Sequence, residues 1–114
     1  MKPKLSQEGG ITQIALQNAE ALRQALGSPI RMELHMDPDG VEWYRVRVMF
    51  DTGDSHTFTG FGWGYSGEGP RGLASFCHQN DIPLTIEDIV KIDNRSTAMV
   101  YSWPSSPMAS SKVG

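Results

Sequence analysis

A run of thirteen residues, 60 to 72, contains six glycines, three aromatic residues and one arginine. We call residues 60 to 69 of this run the glycine loop. Glycine lets the backbone bend sharply and lets a ligand approach it closely. A helix that opens directly after such a loop presents free N–H groups and the positive end of its dipole, which favours an anion. The pattern therefore indicates a site for a phosphate-containing ligand.

The side chains of this run could complete such a site. Ser66 can donate a hydrogen bond, Arg71 can supply a charge, and the aromatic rings offer faces on which a base could stack. The alternative is that the glycines only make a tight strand-to-helix connection and that the aromatic residues belong to the core. The ligand-binding residues that we expect are Trp43, Arg47, Phe61, Trp63, Tyr65, Ser66, Gly67, Glu68, Gly69 and Arg71.

The elements that must position the loop follow from hydrophobic periodicity. Apolar residues recur at three- and four-residue spacing over residues 11 to 26, which predicts a helix ended by Gly27. Apolar and polar residues alternate over residues 30 to 35, 43 to 50 and 56 to 59, with turn-forming residues between these segments. The alternation predicts a three-stranded antiparallel meander, and the first helix can cover its apolar face.

The segment after the glycine loop carries three further signals. Pro70 suits the first position of a helix. Thr85 and Asp88 have the spacing of a capping box, which predicts a short helix to about residue 92. Residues 97 to 103 could form a fourth strand.

Together these patterns predict an α+β fold: an antiparallel three- to four-stranded meander with an N-terminal helix packed on one face and one or two short C-terminal helices. The polar N-terminus, residues 1 to 10, and the Ser- and Pro-rich tail, residues 104 to 114, are expected to be disordered. Residues 11 to 103 are then a single domain.

The register of the strands decides which polar residues meet. Three-residue turns would place Leu34 opposite Tyr44 in the first hairpin and Val48 opposite His56 in the second. On the polar face, this register sets Arg31 opposite Arg47. Two facing arginines are unfavourable unless an anion relieves them.

The other residues of the polar face have alternative explanations. Arg45 opposite Glu33 is a structural pair, and the whole face could be an ordinary solvated surface or a dimer interface. With Trp43 and Phe61 at its end, this face should lie close to the start of the glycine loop. Aromatic rings, arginines and helix N–H groups would then meet in one place.

Composition excludes several classes of protein. The net charge of −3 lacks the basic surplus of a general nucleic-acid binder. A single cysteine, Cys77, excludes an internal disulfide and a cysteine-based zinc site. No apolar run approaches the roughly 18 residues of a membrane span. We therefore expect no nucleic-acid partner, no membrane and no metal or cofactor, and a cytoplasmic location, in the host cell if the chain is encoded by a phage.

Residues 63 to 70 resemble a signature of small prokaryotic and phage proteins, Trp-Gly-Tyr-Gly-Gly-Ser-Gly-Pro, which is followed by a helix rich in leucine and alanine. Ser66 and Glu68 here replace a glycine and a serine of that pattern. The resemblance implies a small accessory protein of prokaryotes or mobile elements and brings no established activity. By analogy of size and site, the chain is also similar to phage anti-defence sponges, which sequester cyclic or ADP-ribose-derived signals.

The function that we expect is non-enzymatic binding of a small phosphate-containing, nucleotide-derived ligand by a homo-oligomer. One alternative is a protein–protein interaction or self-association module that uses the aromatic and arginine-bearing sheet face. Another is a small nucleotide-processing enzyme with Glu68 or His35 as its base. We favour binding because no acid or nucleophile partner is placed with Glu68 and the chain has few residues suited to acid–base catalysis.

Overall fold

The computed structural model describes residues 3 to 36, 44 to 92 and 98 to 102. It confirms the α+β class: helices pack on one face of an antiparallel sheet. The elements, in chain order, are α1 (Thr12–Leu26), β1 (Pro29–Met36), β2 (Tyr44–Phe50), β3 (Ser55–Phe58), α2 (Glu68–Gln79), α3 (Ile86–Lys91) and β4 (Ala98–Ser102).

Helix α1 forms where the apolar spacing predicts it. Its buried side chains include Ala15, Ala19, Leu22 and Leu26, which recur every three or four residues and so share one face. Gly27 ends the helix with a φ of 93°, a conformation that residues with a side chain rarely adopt. The helix therefore presents one narrow apolar stripe to the sheet.

The sheet has the strand order β3-β2-β1-β4, and all neighbouring strands are antiparallel. The predicted register of the second hairpin is confirmed, with Val48 opposite His56. In the first hairpin the prediction is wrong by two residues, because Leu34 pairs with Val46. A three-residue turn cannot produce this pairing, since seven residues separate β1 from β2.

The two-residue shift leaves the side chains from Arg31 to His35 on their predicted faces, because strand side chains alternate with a period of two. It does change the neighbours. Arg47 lies opposite Glu33 rather than Arg31, and Arg45 lies opposite His35 rather than opposite Glu33 as predicted. The prediction that Arg31 faces Arg47 across the hairpin is therefore wrong. The Glu33 carboxylate contacts both arginines instead.

The core lies between the helices and one face of the sheet. The largest fully buried side chains are Trp63, Phe50, Phe58, Phe76, Leu22, Met32, Leu34, Leu73, Ile89, Val46 and Val48, together with Pro70. All three helices contribute to this cluster. The opposite sheet face, which carries the strand residues that point away from the core, receives none of these helix side chains.

The two later helices start differently from one another. The capping box of α3 is confirmed: the Thr85 hydroxyl accepts from the Asp88 amide at 3.2 Å, and the Asp88 carboxylate accepts from the Thr85 amide at 3.0 Å. Helix α2 begins at Glu68, two residues before the predicted Pro70. Proline is tolerated there because the first turn of a helix needs no N–H donor from it.

The N-terminal segment differs from the expectation of disorder. Residues 3 to 10 lie against the domain, with Leu5 packed on the core cluster and Glu8 buried. The predicted disordered tail, residues 104 to 114, lies outside the described residues. Within the described residues, no helix has the length and apolar composition needed to cross a membrane.

Candidate functional site

A cleft of about 560 Å³ opens where the glycine loop meets the N-terminal ends of α1 and α2. We call it the tyrosine cleft. Its lining combines glycine backbone with two phenol rings, two threonines and one carboxylate. The lining residues are Gly9, Gly10, Thr12, Tyr44, Thr59, Gly60, Phe61, Tyr65, Glu68 and Gly69. Four of the residues predicted to bind a ligand are in this set: Phe61, Tyr65, Glu68 and Gly69.

Three of the loop glycines make room for the ring of Tyr65. A Cβ on Gly62 would stand 2.6 Å from the Tyr65 hydroxyl oxygen, and one on Gly69 would stand 2.7 Å from it. A Cβ on Gly67 would stand 2.9 Å from Cε2 of the same ring. We expected these glycines to let a ligand come close to the backbone. In the structure the Tyr65 side chain occupies that space instead.

Two further glycines let the helices come close to the loop. A Cβ on Gly60 would collide with the Ile11 carbonyl, and one on Gly72 would collide with the Thr12 side chain. The Thr12 hydroxyl donates a 2.6 Å hydrogen bond to the Gly60 carbonyl, so the start of α1 is fixed directly to the loop. The alternative interpretation of the glycines, as a tight strand-to-helix connection, accounts for these positions.

The aromatic residues of the loop divide between core and cleft. Trp63 is fully buried and Phe61 is 2% exposed, so in this structure neither ring offers an open face for stacking. Their predicted stacking role does not fit these positions. Tyr65 is 39% exposed, and it remains the accessible ring of the loop. Phe61 forms only the floor of the cleft.

Tyr44 connects the cleft to the core. Its ring lies 5.5 Å from the Tyr65 ring and meets Trp63 edge to face at 4.8 Å, measured between centroids. Burial, and then the neighbouring Tyr44, raise the pKa of the Tyr65 hydroxyl above its ordinary value of 10.0. Tyr65 is therefore a neutral phenol at physiological pH, and its ring lies against the Tyr44 ring while part of the residue is exposed to solvent.

Helix α2 brings its first turn to the rim of the cleft. Gly67 caps the helix without a side-chain hydrogen bond, and Glu68 places a carboxylate in the first turn. Ser66 and Arg71 are exposed and do not line the cleft. Arg71 follows Glu68 by three positions, which puts both side chains on the same helix face.

A buried glutamate that the sequence did not single out lies behind the cleft. The Glu8 side chain is 5% exposed. Its Oε1 accepts hydrogen bonds from the amides of Thr59 and Gly60 at 2.7 and 3.1 Å. Its Oε2 lies 3.2 Å from Nε2 of His56. Glu8 stands next to Gly9-Gly10 in a polar segment, and nothing in its spacing indicates burial.

Those hydrogen bonds decide the charge state of Glu8. Burial raises the pKa of its carboxyl, but the hydrogen bonds from His56, Thr59, Asn18 and Gly60 together lower it below the ordinary value of 4.5. The carboxylate is therefore ionised in the folded protein at neutral pH. A buried charge is tolerated here because the amides of Thr59 and Gly60 and the side-chain amide of Asn18 all donate to it.

The polar face of the sheet forms a second candidate surface. We call the part of it that β1, β2 and β3 form the outer sheet face, and its residues are Arg31, Glu33, His35, Arg45, Arg47, Met49, Ser55 and Thr57. Glu33 is its centre: its oxygens lie 3.0 Å from Nε of Arg31, 3.0 Å from Nε2 of His35 and 3.4 Å from Nη1 of Arg47. The hydrogen bond from His35, opposed by partial desolvation and aided by the two arginines, lowers the pKa of Glu33.

The two candidate surfaces do not meet as the sequence suggested. Arg47 lies on the outer sheet face, whereas Tyr44 reaches the tyrosine cleft from the core side of the same strand. Phe61, expected at the end of the outer face, is in the core. Trp43 lies outside the described residues, so its predicted role stays a prediction.

Metal-binding and thiol chemistry have little support in the described part of the chain. It contains no cluster of three or more histidine, cysteine or acidic side chains that could hold a metal ion. Cys77 is fully buried, as its position on the apolar side of α2 predicts, and burial raises the pKa of its thiol to about 12. His35 and His56 lie on opposite faces of the sheet.

Comparison with protein-family models, with curated proteins and with solved structures gives no match for this chain.

Proposed function

We propose that this protein binds and sequesters a small nucleotide-derived ligand in the tyrosine cleft, without transforming it. The observation that carries the proposal is the position of the Tyr65 ring, which fits between loop glycines and is partly exposed. Three glycines leave room for the Tyr65 side chain, and this residue is 39% exposed. A rigid, amphipathic ring loses little conformational entropy when a base stacks on its open face, and such stacking tolerates many bases.

The polar lining suits the sugar part of such a ligand. Glu68 can accept hydrogen bonds from ribose hydroxyls, and the hydroxyl of Thr59 can donate or accept. The described lining holds no lysine or arginine. The phosphate of the ligand would therefore lie beyond the Glu68 carboxylate, at the rim of the tyrosine cleft. Arg71, on the same helix face as Glu68, would contact it there, together with the free amides that begin α2.

Sequestration rather than catalysis is favoured by the chemistry of the lining. Glu68 is the one carboxylate among the described lining residues, and the two phenols are poor bases at neutral pH. His35, the other base considered from the sequence, is on the outer sheet face beside Glu33. A phage-encoded sponge is the biological setting that the resemblance of residues 63 to 70 suggests.

Calorimetric titration with AMP, ADP-ribose and a cyclic dinucleotide tests the proposal, with inorganic phosphate as the comparison. At least one nucleotide should bind, and it should be recovered unchanged by chromatography after heat denaturation. Tyr65→Ser should weaken binding by about tenfold to a hundredfold, whereas Tyr65→Phe should keep the affinity within about threefold, since the ring does the stacking.

Arg71→Ala should weaken binding by a similar factor and remove part of its salt dependence. Arg23→Ala is the matched control, because Arg23 is an exposed arginine on α1 that does not line the cleft. Recovery of a hydrolysed nucleotide would refute sequestration in favour of an enzyme. Equal affinity in Tyr65→Ser and the native protein would move the site away from the cleft.

A second candidate function is contact with an acidic protein partner through the outer sheet face. Three arginines and one glutamate give this face a net charge of +2 with His35 neutral, although the whole chain carries −3. The described residues of the face include no aromatic ring, which argues against stacking of nucleic-acid bases there. Arginine forks match carboxylates, so an acidic segment is the partner of best complementarity.

An oligoglutamate peptide tests this second function directly. It should bind the native protein weakly and in a salt-dependent manner, and Arg31→Gln with Arg47→Gln should abolish the binding. Arg23→Gln is again the control. If the double variant binds the peptide as well as the native protein, the outer sheet face is not the docking surface.

A further inference from the structure

The N-terminal segment, residues 3 to 10, lies across the domain beside the tyrosine cleft; we call it the strap. Its last two residues, Gly9 and Gly10, have φ values of 55° and 78° and line the cleft. The Gly10 amide donates to the Thr59 hydroxyl at 3.5 Å. The strap thus forms one wall of the cleft, and the Thr59–Gly60 segment forms the wall next to it.

One side chain joins these two walls. The Glu8 carboxylate accepts from the amides of Thr59 and Gly60 through one oxygen, and its other oxygen contacts Asn18 at 3.3 Å and His56 at 3.2 Å. These partners belong to α1, to β3 and to the chain after β3. A single residue of the strap therefore contacts two separate parts of the domain, helix α1 and the segment formed by β3 and the two residues after it.

The strap is attached to the domain at a second place, through the backbone of Ser6, which the Asn18 side chain contacts in addition to Glu8. The Asn18 side chain donates to the Ser6 carbonyl at 2.8 Å and accepts from the Ser6 amide at 3.1 Å. Of the described strap residues, Leu5 packs against the core. Removal of the Glu8 carboxylate should therefore free the part of the strap at the cleft while the start of the strap and the core stay in place.

We propose that Glu8 is the positioning residue of the tyrosine cleft: its buried carboxylate holds the strap and the Thr59–Gly60 segment together, and ligand binding depends on it although Glu8 touches no ligand. The inference rests on the function proposed above, because it assigns the assembly of that same site. The inference also predicts that Glu8 orders the backbone of the strap and of the Thr59–Gly60 segment when no ligand is bound.

Hydrogen exchange tests the claim about order. In Glu8→Ala the amides of Thr59 and Gly60 lose their acceptor, so their exchange should accelerate by about tenfold to a hundredfold, as expected for loss of a hydrogen bond to a charged group. The amides of Gly64 and Ile82 should not change, because they donate to the carbonyls of Ile89 and Cys77.

Two further variants separate positioning from general destabilisation. Glu8→Gln keeps an oxygen that can accept from the two amides, so protection of Thr59 and Gly60 should largely return. Glu20→Ala removes an exposed glutamate of α1 whose partners are Arg23 and Gln24, and it should leave both amides unchanged. Acceleration at all measured amides in Glu8→Ala would mean global destabilisation and would overturn the proposal.

Titration of the same variants with AMP and ADP-ribose completes the test. Glu8→Ala should lower the affinity of whichever nucleotide binds the native protein at least tenfold, with Glu8→Gln in between. Faster exchange at Thr59 and Gly60 with unchanged affinity would overturn the positioning role and leave the proposed function intact. If the native protein binds neither nucleotide nor the cyclic dinucleotide, the proposed function fails, while faster exchange would still support Glu8 as the residue that orders these walls.

Discussion

The Oε2 atom of Glu8 lies 3.2 Å from Nε2 of His56, although 48 positions separate the two residues in the chain. The contact brings a segment before α1 to the inner side of β3. His56 in turn meets the Phe58 ring edge to face, with a centroid distance of 4.5 Å. The N-terminal segment is therefore connected, through the contact between Glu8 and His56, to an aromatic residue of the core.

The stability of the protein should depend on pH through Glu8. Its pKa in the folded state lies below 4.5, so its contribution is complete above the unfolded-state value and is lost as the pH falls through the lower folded-state value. Urea unfolding of the native protein and Glu8→Gln should therefore differ most near pH 7 and converge in acid. Glu20→Gln is the control, since an exposed pair is screened by solvent.

The glycines of the loop should differ in their tolerance of alanine. Gly62→Ala meets the far end of the Tyr65 side chain, which can swing outward, so we expect a cost of about 1 kcal/mol, near the lower end of overpacking penalties. Gly60→Ala meets the Ile11 carbonyl and the Ala15 Cβ, which cannot move independently of α1. Thermal unfolding should show a much larger loss for Gly60→Ala.

A double variant tests whether contact with the Tyr65 ring causes the loss of stability in Gly62→Ala. If the cost of Gly62→Ala comes from the Tyr65 ring, it should vanish in a Tyr65→Ser background, a coupling that a double-mutant cycle measures directly. The Tyr65 hydroxyl in Gly62→Ala should also titrate closer to the ordinary pKa, because the displaced ring is better solvated. An unchanged cost in the Tyr65→Ser background would show that the glycine serves another contact.

Trp63 should behave as a core residue in mutagenesis. Trp63→Ala should lower the free energy of unfolding by about 3–5 kcal/mol, as large-to-small core changes do. Trp63→Phe should cost less than half as much, because the buried Nε1 of Trp63 has no hydrogen-bond partner within the described structure and its removal relieves that penalty. Chemical denaturation measures both, and equal losses would contradict this account.

Assembly of the protein should respond to salt if the outer sheet face takes part in it. The expected homo-oligomer would place two faces of charge +2 against each other if it used this face symmetrically. Added salt should then strengthen self-association, since it screens the repulsion. Sedimentation at micromolar concentration and two salt concentrations decides the matter, and a monomer under both conditions would refute the expected oligomer.

Much of the fold could be predicted because its signals are local. The apolar stripe of α1 and the Thr85–Asp88 capping box each lie within a few turns of helix, and both are confirmed. The second hairpin was predicted correctly because the loop after Phe50 is short. The first hairpin failed because its connection is longer than the turn that its Asp-Pro-Asp-Gly sequence suggests, and no local rule sets the resulting shift.

The site was harder to predict because its determinants are not local. Aromatic residues alternate with glycine from Phe61 to Tyr65, but in an irregular loop this alternation has no fixed relation to burial. Phe61 and Trp63 therefore went to the core while Tyr65 stayed exposed. Glu8 could not be identified because its four donors come from positions 18, 56, 59 and 60, and only the folded chain brings them together.

Because the Tyr65 ring fits between three glycines, the residue types allowed at these four positions depend on one another. A chain that lost the ring at position 65 would no longer need bare backbone at Gly62, Gly67 and Gly69, so side chains could accumulate there without penalty. Among related sequences, these four positions should thus change together. The number of glycines in this segment would then indicate whether an aromatic residue is present at position 65. The glycines alone would therefore not be evidence of a bound ligand.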